Sequence, residues 1–227
     1  MHEIRTSSEE EFERLRERIA LEASNAADHL YLLRGLDESR VEYDREMNES
    51  NTFWYLTFIA HRNSVLSHLC RLYDKDSAAL SLGRFLLTVK ANSPLFSETA
   101  FRERLKHNPH VDTLADARTI DESELAKELA SVSDKDPLVS RLLDLRNTVI
   151  SHTAADEVRK GADQVWLPIQ DIETLLGRAR AITSKYSLLY RASMYGGIAG
   201  ADDYKATLRC VRKALKSHPA EAERKRG

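Results

Sequence analysis

Apolar residues recur along this chain at intervals of three and four, the spacing that lines one face of an α-helix. Phe12, Leu15, Ile19, Ala23, Ala26, Leu30 and Leu33 form such a series after a Ser7-Ser8 start and a run of glutamates, which predicts a first helix up to Gly35. Phe58, Ile59, Val65, Leu66, Leu69, Leu72 and Tyr73 share a face of a second helix, capped by Asn51 or Thr52 and ending near Asp74. A third covers about 78–90. From 92 to 119 the pattern weakens around Pro94 and Pro109, which reads as an insertion or lid holding one short helix near 97–105. A small polar helix follows over 121–132. The segment 134–137 then opens a strongly amphipathic helix bearing Leu138, Leu142, Leu145 and Val149, expected to end near His152. A flexible stretch over 153–164 leads to Pro168, in the first turn of a long helix through Ile172, Leu175, Leu176, Ile182, Tyr186 and Leu189. Gly196, Gly197 and Gly200 break the chain, Asp202 or Asp203 starts a last helix to about Ser217, and the basic tail 224–227 is expected to be disordered.

No alternating run bounded by turn signals appears, so the fold class is all-α: a helical bundle over 1–195 with peripheral helices, and a C-terminal helix with a basic tail over 196–227. Eight glycines and five prolines in 227 residues suit long helices better than turn-rich β structure. The glycines at 196–200 follow a helix, not a strand, which argues against a dinucleotide-binding loop. A formal net charge of −2 does not advertise a polyanionic partner, so any nucleic-acid contact must come from a local basic patch. The apolar stretches at 53–56 and 58–60 fall far short of the roughly 20 residues of a membrane span. The N-terminus runs straight into acidic residues without the apolar core of a signal peptide, so the expected compartment is the cytoplasm. Cys70 and Cys210 sit at helical positions without a Cys or His at ligand spacing, which predicts neither a zinc site nor a disulfide frame. No metal and no cofactor is expected.

Hydrolase and metalloprotease signatures are missing, and the remaining candidate is Arg146-Asn147-Thr148-Val149-Ile150-Ser151-His152. On a helical wheel Arg146 falls within the arc of Val139, Leu142, Val149 and Ile150, and His152 continues the row of Leu138, Leu142, Leu145 and Val149. A guanidinium in a dry core is costly unless paired, so this placement predicts a buried ion pair or a polar cleft. The two residue types suit RNA cleavage. RNA carries its own nucleophile in the 2′-hydroxyl, a histidine can move the proton near neutral pH, and an arginine can stabilise charge growing on the phosphorane. Residues six apart on one helix lie about 120° and roughly 9 Å apart, so one motif makes an incomplete site and a symmetric dimer would supply two.

Composition alone yields roughly two pairs in which histidine follows arginine after four to six residues, and four occur here with the same spacing, at 62/68, 104/110, 146/152 and 212/218. Requiring Asn after Arg leaves two, the second being Arg62-Asn63 with His68. The 146/152 motif is preferred because its histidine ends a helix beside a loop where substrate can enter, whereas His68 is followed by continuing helix. A structural polar pair is the alternative for either.

With Arg146, Asn147 and His152, the segment Leu69-Cys70-Arg71-Leu72-Tyr73-Asp74 and the helix start Ile169-Gln170-Asp171-Ile172-Glu173, the chain resembles the HEPN family (higher eukaryotes and prokaryotes nucleotide-binding), in its AbiU-type abortive-infection branch. The likeness spans roughly residues 10–195. It implies a helical bundle, dimerisation that pairs two motifs, and metal-independent cleavage of RNA, single-stranded in the present reading, by a toxin or antiviral effector. Arg146 and His152 would be catalytic and Asn147 their polar companion. An antitoxin protein is an expected kind of partner. Family toxins silenced by a nucleotidyltransferase antitoxin carry tyrosine two residues after the histidine, and Ala154 stands here, a departure from that form of control. Some family members are inactive and only dimerise or bind, which is the alternative function for this chain.

Overall fold

A computed structural model describes residues 1–115, 118–147, 167–194, 196, 197 and 202–217. Among the described residues there are nine α-helices and no strand: α1 Glu9–Asn48, α2 Asn51–Leu72, α3 Leu82–Ala91, α4 Glu98–Arg104, α5 Val111–Leu114, α6 Glu122–Ser131, α7 Pro137–Leu145, α8 Ile169–Arg191 and α9 Tyr204–Ser217. A 3-10 turn covers Ser93–Phe96. No helix among these residues is long and apolar enough to cross a membrane. The expected stretch over 153–164 and the tail 224–227 lie outside the described residues.

The chain forms two compact units. The first comprises Met1–Ala26 and Leu66–Gly196, the second Ala27–Val65 and Gly197–Gly227. Helices α1 and α2, of 40 and 22 residues, each lend one part to each unit.

The first unit is built around aromatic side chains. Phe12 of α1 meets Phe96 edge-on at 5.6 Å between ring centres, Tyr190 of α8 at 5.3 Å and Phe85 of α3 at 6.3 Å. All four rings are essentially inaccessible to solvent. Tyr186 adds edge-on contacts to Phe85 and Phe96. Local chemistry sets the helix starts. The side chains of Ser97, Asp121 and Asp136 each accept backbone N–H bonds in the first turns of α4, α6 and α7, and Pro137 occupies the first position of α7. Helix α3 begins at Leu82, later than its apolar pattern suggests. Asp74 and Asp76 accept the N–H groups of Asp76 and Ala78 at 3.0 and 2.8 Å, which favours turns over helix there. The hydroxyl of Tyr73 donates to the Leu175 carbonyl at 2.7 Å and pins the end of α2 to α8.

In the second unit, Leu36, Tyr43, Met47, Trp54 and Leu208 make the core. Here α1 continues past Gly35, against the expected end. A β-carbon at Gly35 would lie 2.9 Å from the Tyr204 hydroxyl, so the glycine admits the tyrosine rather than ending the helix. The Tyr204 hydroxyl also bonds Ser39 at 2.9 Å. The helix path bends at Tyr43, where φ is −117° and ψ 26°. Ile59, expected on the inward face of α2, is exposed, and Trp54 packs inward instead. Arg212 of α9 donates to Glu46 at 2.6 Å and lies 4.3 Å from the Tyr43 ring centre.

Candidate functional site

Helix α7 presents Val139, Leu142, Leu143 and Leu145 to the core of the first unit. Beyond Leu145 the backbone stays right-handed helical at Arg146, whose N–H meets the carbonyls of Leu142 and Leu143. Asn147 is exposed. Arg146 emerges from the apolar arc with 30% of its side chain accessible, and its Nη1 donates to Asp74 at 2.8 Å. Asp74 follows the last turn of α2, so an ion pair links the ends of α2 and α7. His152 and residues 148–166 lie outside the described residues, as does Ala154.

The competing arginines have different surroundings. Arg104 is nearly buried: it pairs with Glu9, donates to the carbonyls of Tyr190 at 2.8 Å and Leu95 at 2.9 Å, and lies 3.7 Å from the Tyr190 ring centre. That is an arginine committed to packing. Arg212 has the carboxylates of Glu42 and Glu46. The boundary between the two compact units falls inside the near-duplicate motif, with Arg62 in the second unit and His68 in the first. Arg62 lines a groove with Trp54, Tyr55 and Phe58.

His68 is brought to Glu22 of α1, Nδ1 to Oε1 at 2.8 Å, and Arg71 reaches the same carboxylate oxygen through Nε. Arg71 Nη2 also lies 2.8 Å from His68 Nδ1. One nitrogen cannot both donate to Glu22 and accept from Arg71, so the two neighbours favour opposite tautomers of the ring. Burial pushes the Glu22 carboxyl upward, but the hydrogen bonds from His68 and Arg71 outweigh it and hold it below its ordinary value. Charged Glu22 therefore stabilises the fold above the ordinary carboxylate range, and that contribution is lost as pH falls through the lowered value. Glu22→Gln should be less stable than wild type at pH 7, and the difference should shrink as pH falls below the ordinary carboxylate range. Thermal melts across that range check this, and a constant difference would contradict it.

Cys70 is buried on α2, between His68 and Arg71 in the chain. Burial raises its thiol to about 11, while Arg146 and Arg71 pull it down and Asp74 pushes it up. It stays protonated at neutral pH and is no nucleophile. Glu22 was not among the residues singled out from sequence. Its one signal is position: a carboxylate beside Ile19, Ala23 and Ala26 falls on the inward face of α1 and needs a partner. Among the described residues no three His, Cys, Asp or Glu side chains cluster as metal ligands would.

A family model for AbiU2, of the HEPN class, matches residues 9–209. The chain belongs to that family. No curated protein and no solved structure matches it. The AbiU2 match spans Arg146 and Asn147, the end of α2 with Asp74, and α8.

Proposed function

We propose that this AbiU2 chain is a metal-independent endoribonuclease of a defence or toxin system, acting as a symmetric homodimer on single-stranded RNA. The observation that carries the reading is Arg146, an arginine on an otherwise apolar helix face that reaches solvent at the end of α7 in a HEPN-family chain. In the proposed reaction the 2′-oxygen attacks the adjacent phosphorus, and His152 takes the hydroxyl proton. The P–O5′ bond breaks, the same histidine of the second copy protonates the leaving 5′-oxygen, and Arg146 stabilises the charge on the equatorial oxygens. The products are a 2′,3′-cyclic phosphate and a 5′-hydroxyl. Asn147 stands beside Arg146 as a polar contact for RNA. Asp74 orients the guanidinium, which must be aimed before it is useful to a transition state.

A second reading, a non-catalytic HEPN dimerisation or interaction module, draws on the same ion pair, since Arg146 already has a carboxylate partner. Expression in a host separates the two. Wild type should arrest growth and degrade RNA, and His152→Ala should do neither. Arg146→Lys should lose about 10²–10³-fold in cleavage rate, because an ammonium cannot reproduce a planar two-donor fork. Growth arrest without RNA loss, equal in wild type and His152→Ala, would favour the interaction module.

A further inference from the structure

The polar cluster beside Arg146 has a consistent inside and outside. Glu22 is 8% exposed and is met by His68, Arg71 and, at 3.7 Å, Arg18. Its two arginine partners point outward, Arg71 with 53% and Arg18 with 65% of the side chain accessible. Just past the end of α2, Asp74 repeats the arrangement, 14% exposed and holding the more accessible Arg146. The Asp74 N–H donates to the Arg71 carbonyl at 3.3 Å, which places the Asp74–Arg146 pair in the turn that follows Arg71. Among the described ion pairs of this cluster, three guanidinium groups face two carboxylates, Glu22 and Asp74, a formal excess of one positive charge. Burial of the carboxylates behind their partners makes the surface expression more basic than that sum. A local basic patch is what a chain with net charge −2 requires to hold a polyanion.

Resting on the ribonuclease reading, we infer that Arg71 and Arg18 extend the Arg146 site into a strip that binds backbone phosphates of single-stranded RNA, with Glu22 the buried anchor that positions Arg71. An anchored guanidinium loses little side-chain freedom when it meets a phosphate, and its planar fork matches two phosphate oxygens. Phosphate contacts of this kind set register without reading bases.

The test is binding of a fluorescent single-stranded RNA oligonucleotide by the full chain carrying His152→Ala, which leaves the RNA intact, between 50 and 200 mM salt. Each phosphate contact on single strands contributes about 0.7 to the salt slope, roughly five-fold in Kd at 0.1 M salt. Arg71→Gln and Arg18→Gln should each weaken binding by about that factor and flatten the slope by about 0.7. Arg71→Lys should keep the slope while binding less tightly. Arg102→Gln, an exposed arginine of α4 paired with Glu98 and Asp112, should change neither. Because Arg71→Gln strips a buried carboxylate of a partner, Glu22→Gln/Arg71→Gln is measured beside it, and the double variant should show the same loss of slope. Unchanged affinity and slope in Arg71→Gln and Arg18→Gln, with RNA still bound, would overturn the strip and leave the ribonuclease reading standing. No RNA binding by the His152→Ala chain at any salt would overturn both.

Discussion

His152→Ala should lower RNA cleavage by the purified protein by about 10²–10⁴-fold, the usual contribution of a positioned general acid or base. In a symmetric dimer the substitution removes both histidines, the proton acceptor at the 2′-oxygen and the donor at the 5′-oxygen, so the upper part of that range is expected. Binding should persist, since the arginines proposed to meet phosphate are untouched, and the loss should appear in kcat rather than KM. The variant should melt within a few degrees of wild type. The near-duplicate motif is the natural control. His68→Gln perturbs the Glu22–Arg71 cluster but leaves His152 in place, so its cleavage rate should fall far less than that of His152→Ala. Equal losses in the two variants, or an unchanged rate in His152→Ala, would contradict the assignment of the proton-transfer role.

Phe12→Ala should be the most damaging single truncation in the first unit, destabilising it by about 3–5 kcal/mol. The ring is fully buried and touches aromatic partners from α3, the 3-10 turn and α8. Its removal leaves a void that three other large rings cannot collapse into without leaving their rotamers, so both the transfer and cavity contributions apply. Denaturant unfolding followed by circular dichroism would register this as a lower midpoint at similar slope. Phe12→Leu should cost clearly less than Phe12→Ala. A Phe12→Ala midpoint within error of wild type would mean that α1 is not packed as described.

Most of the helix positions were legible because they are written in local chemistry. Asp121, Asp136-Pro137 and Pro168 mark starts through bonds made within a turn, and α6, α7 and α8 begin beside them. Gly35 misled because its reason is long-range: the tyrosine it admits lies 169 residues further along the chain, as the two residue numbers give by subtraction. Ile59 misled for a related reason, since a periodic stripe specifies a face but not what covers it. Of the site, Arg146 could be singled out as an arginine in an apolar arc, and Asp74 lay in a segment already of interest. The meeting of Glu22 with His68 and Arg71 joins residues 46 and 49 apart and could not be read from spacing. The family match adds what no spacing supplied, a shared framework over residues 9–209.

The chemistry of the cut ends tests the central claim most directly. Purified wild-type protein, incubated with single-stranded RNA in excess EDTA, should yield fragments with 2′,3′-cyclic phosphate and 5′-hydroxyl termini, resolved by mass spectrometry. An arginine and a histidine acting on the RNA's own 2′-hydroxyl leave those ends without metal assistance. Cleavage that appears only when magnesium is restored, or that leaves 5′-phosphate and 3′-hydroxyl ends, would contradict the account.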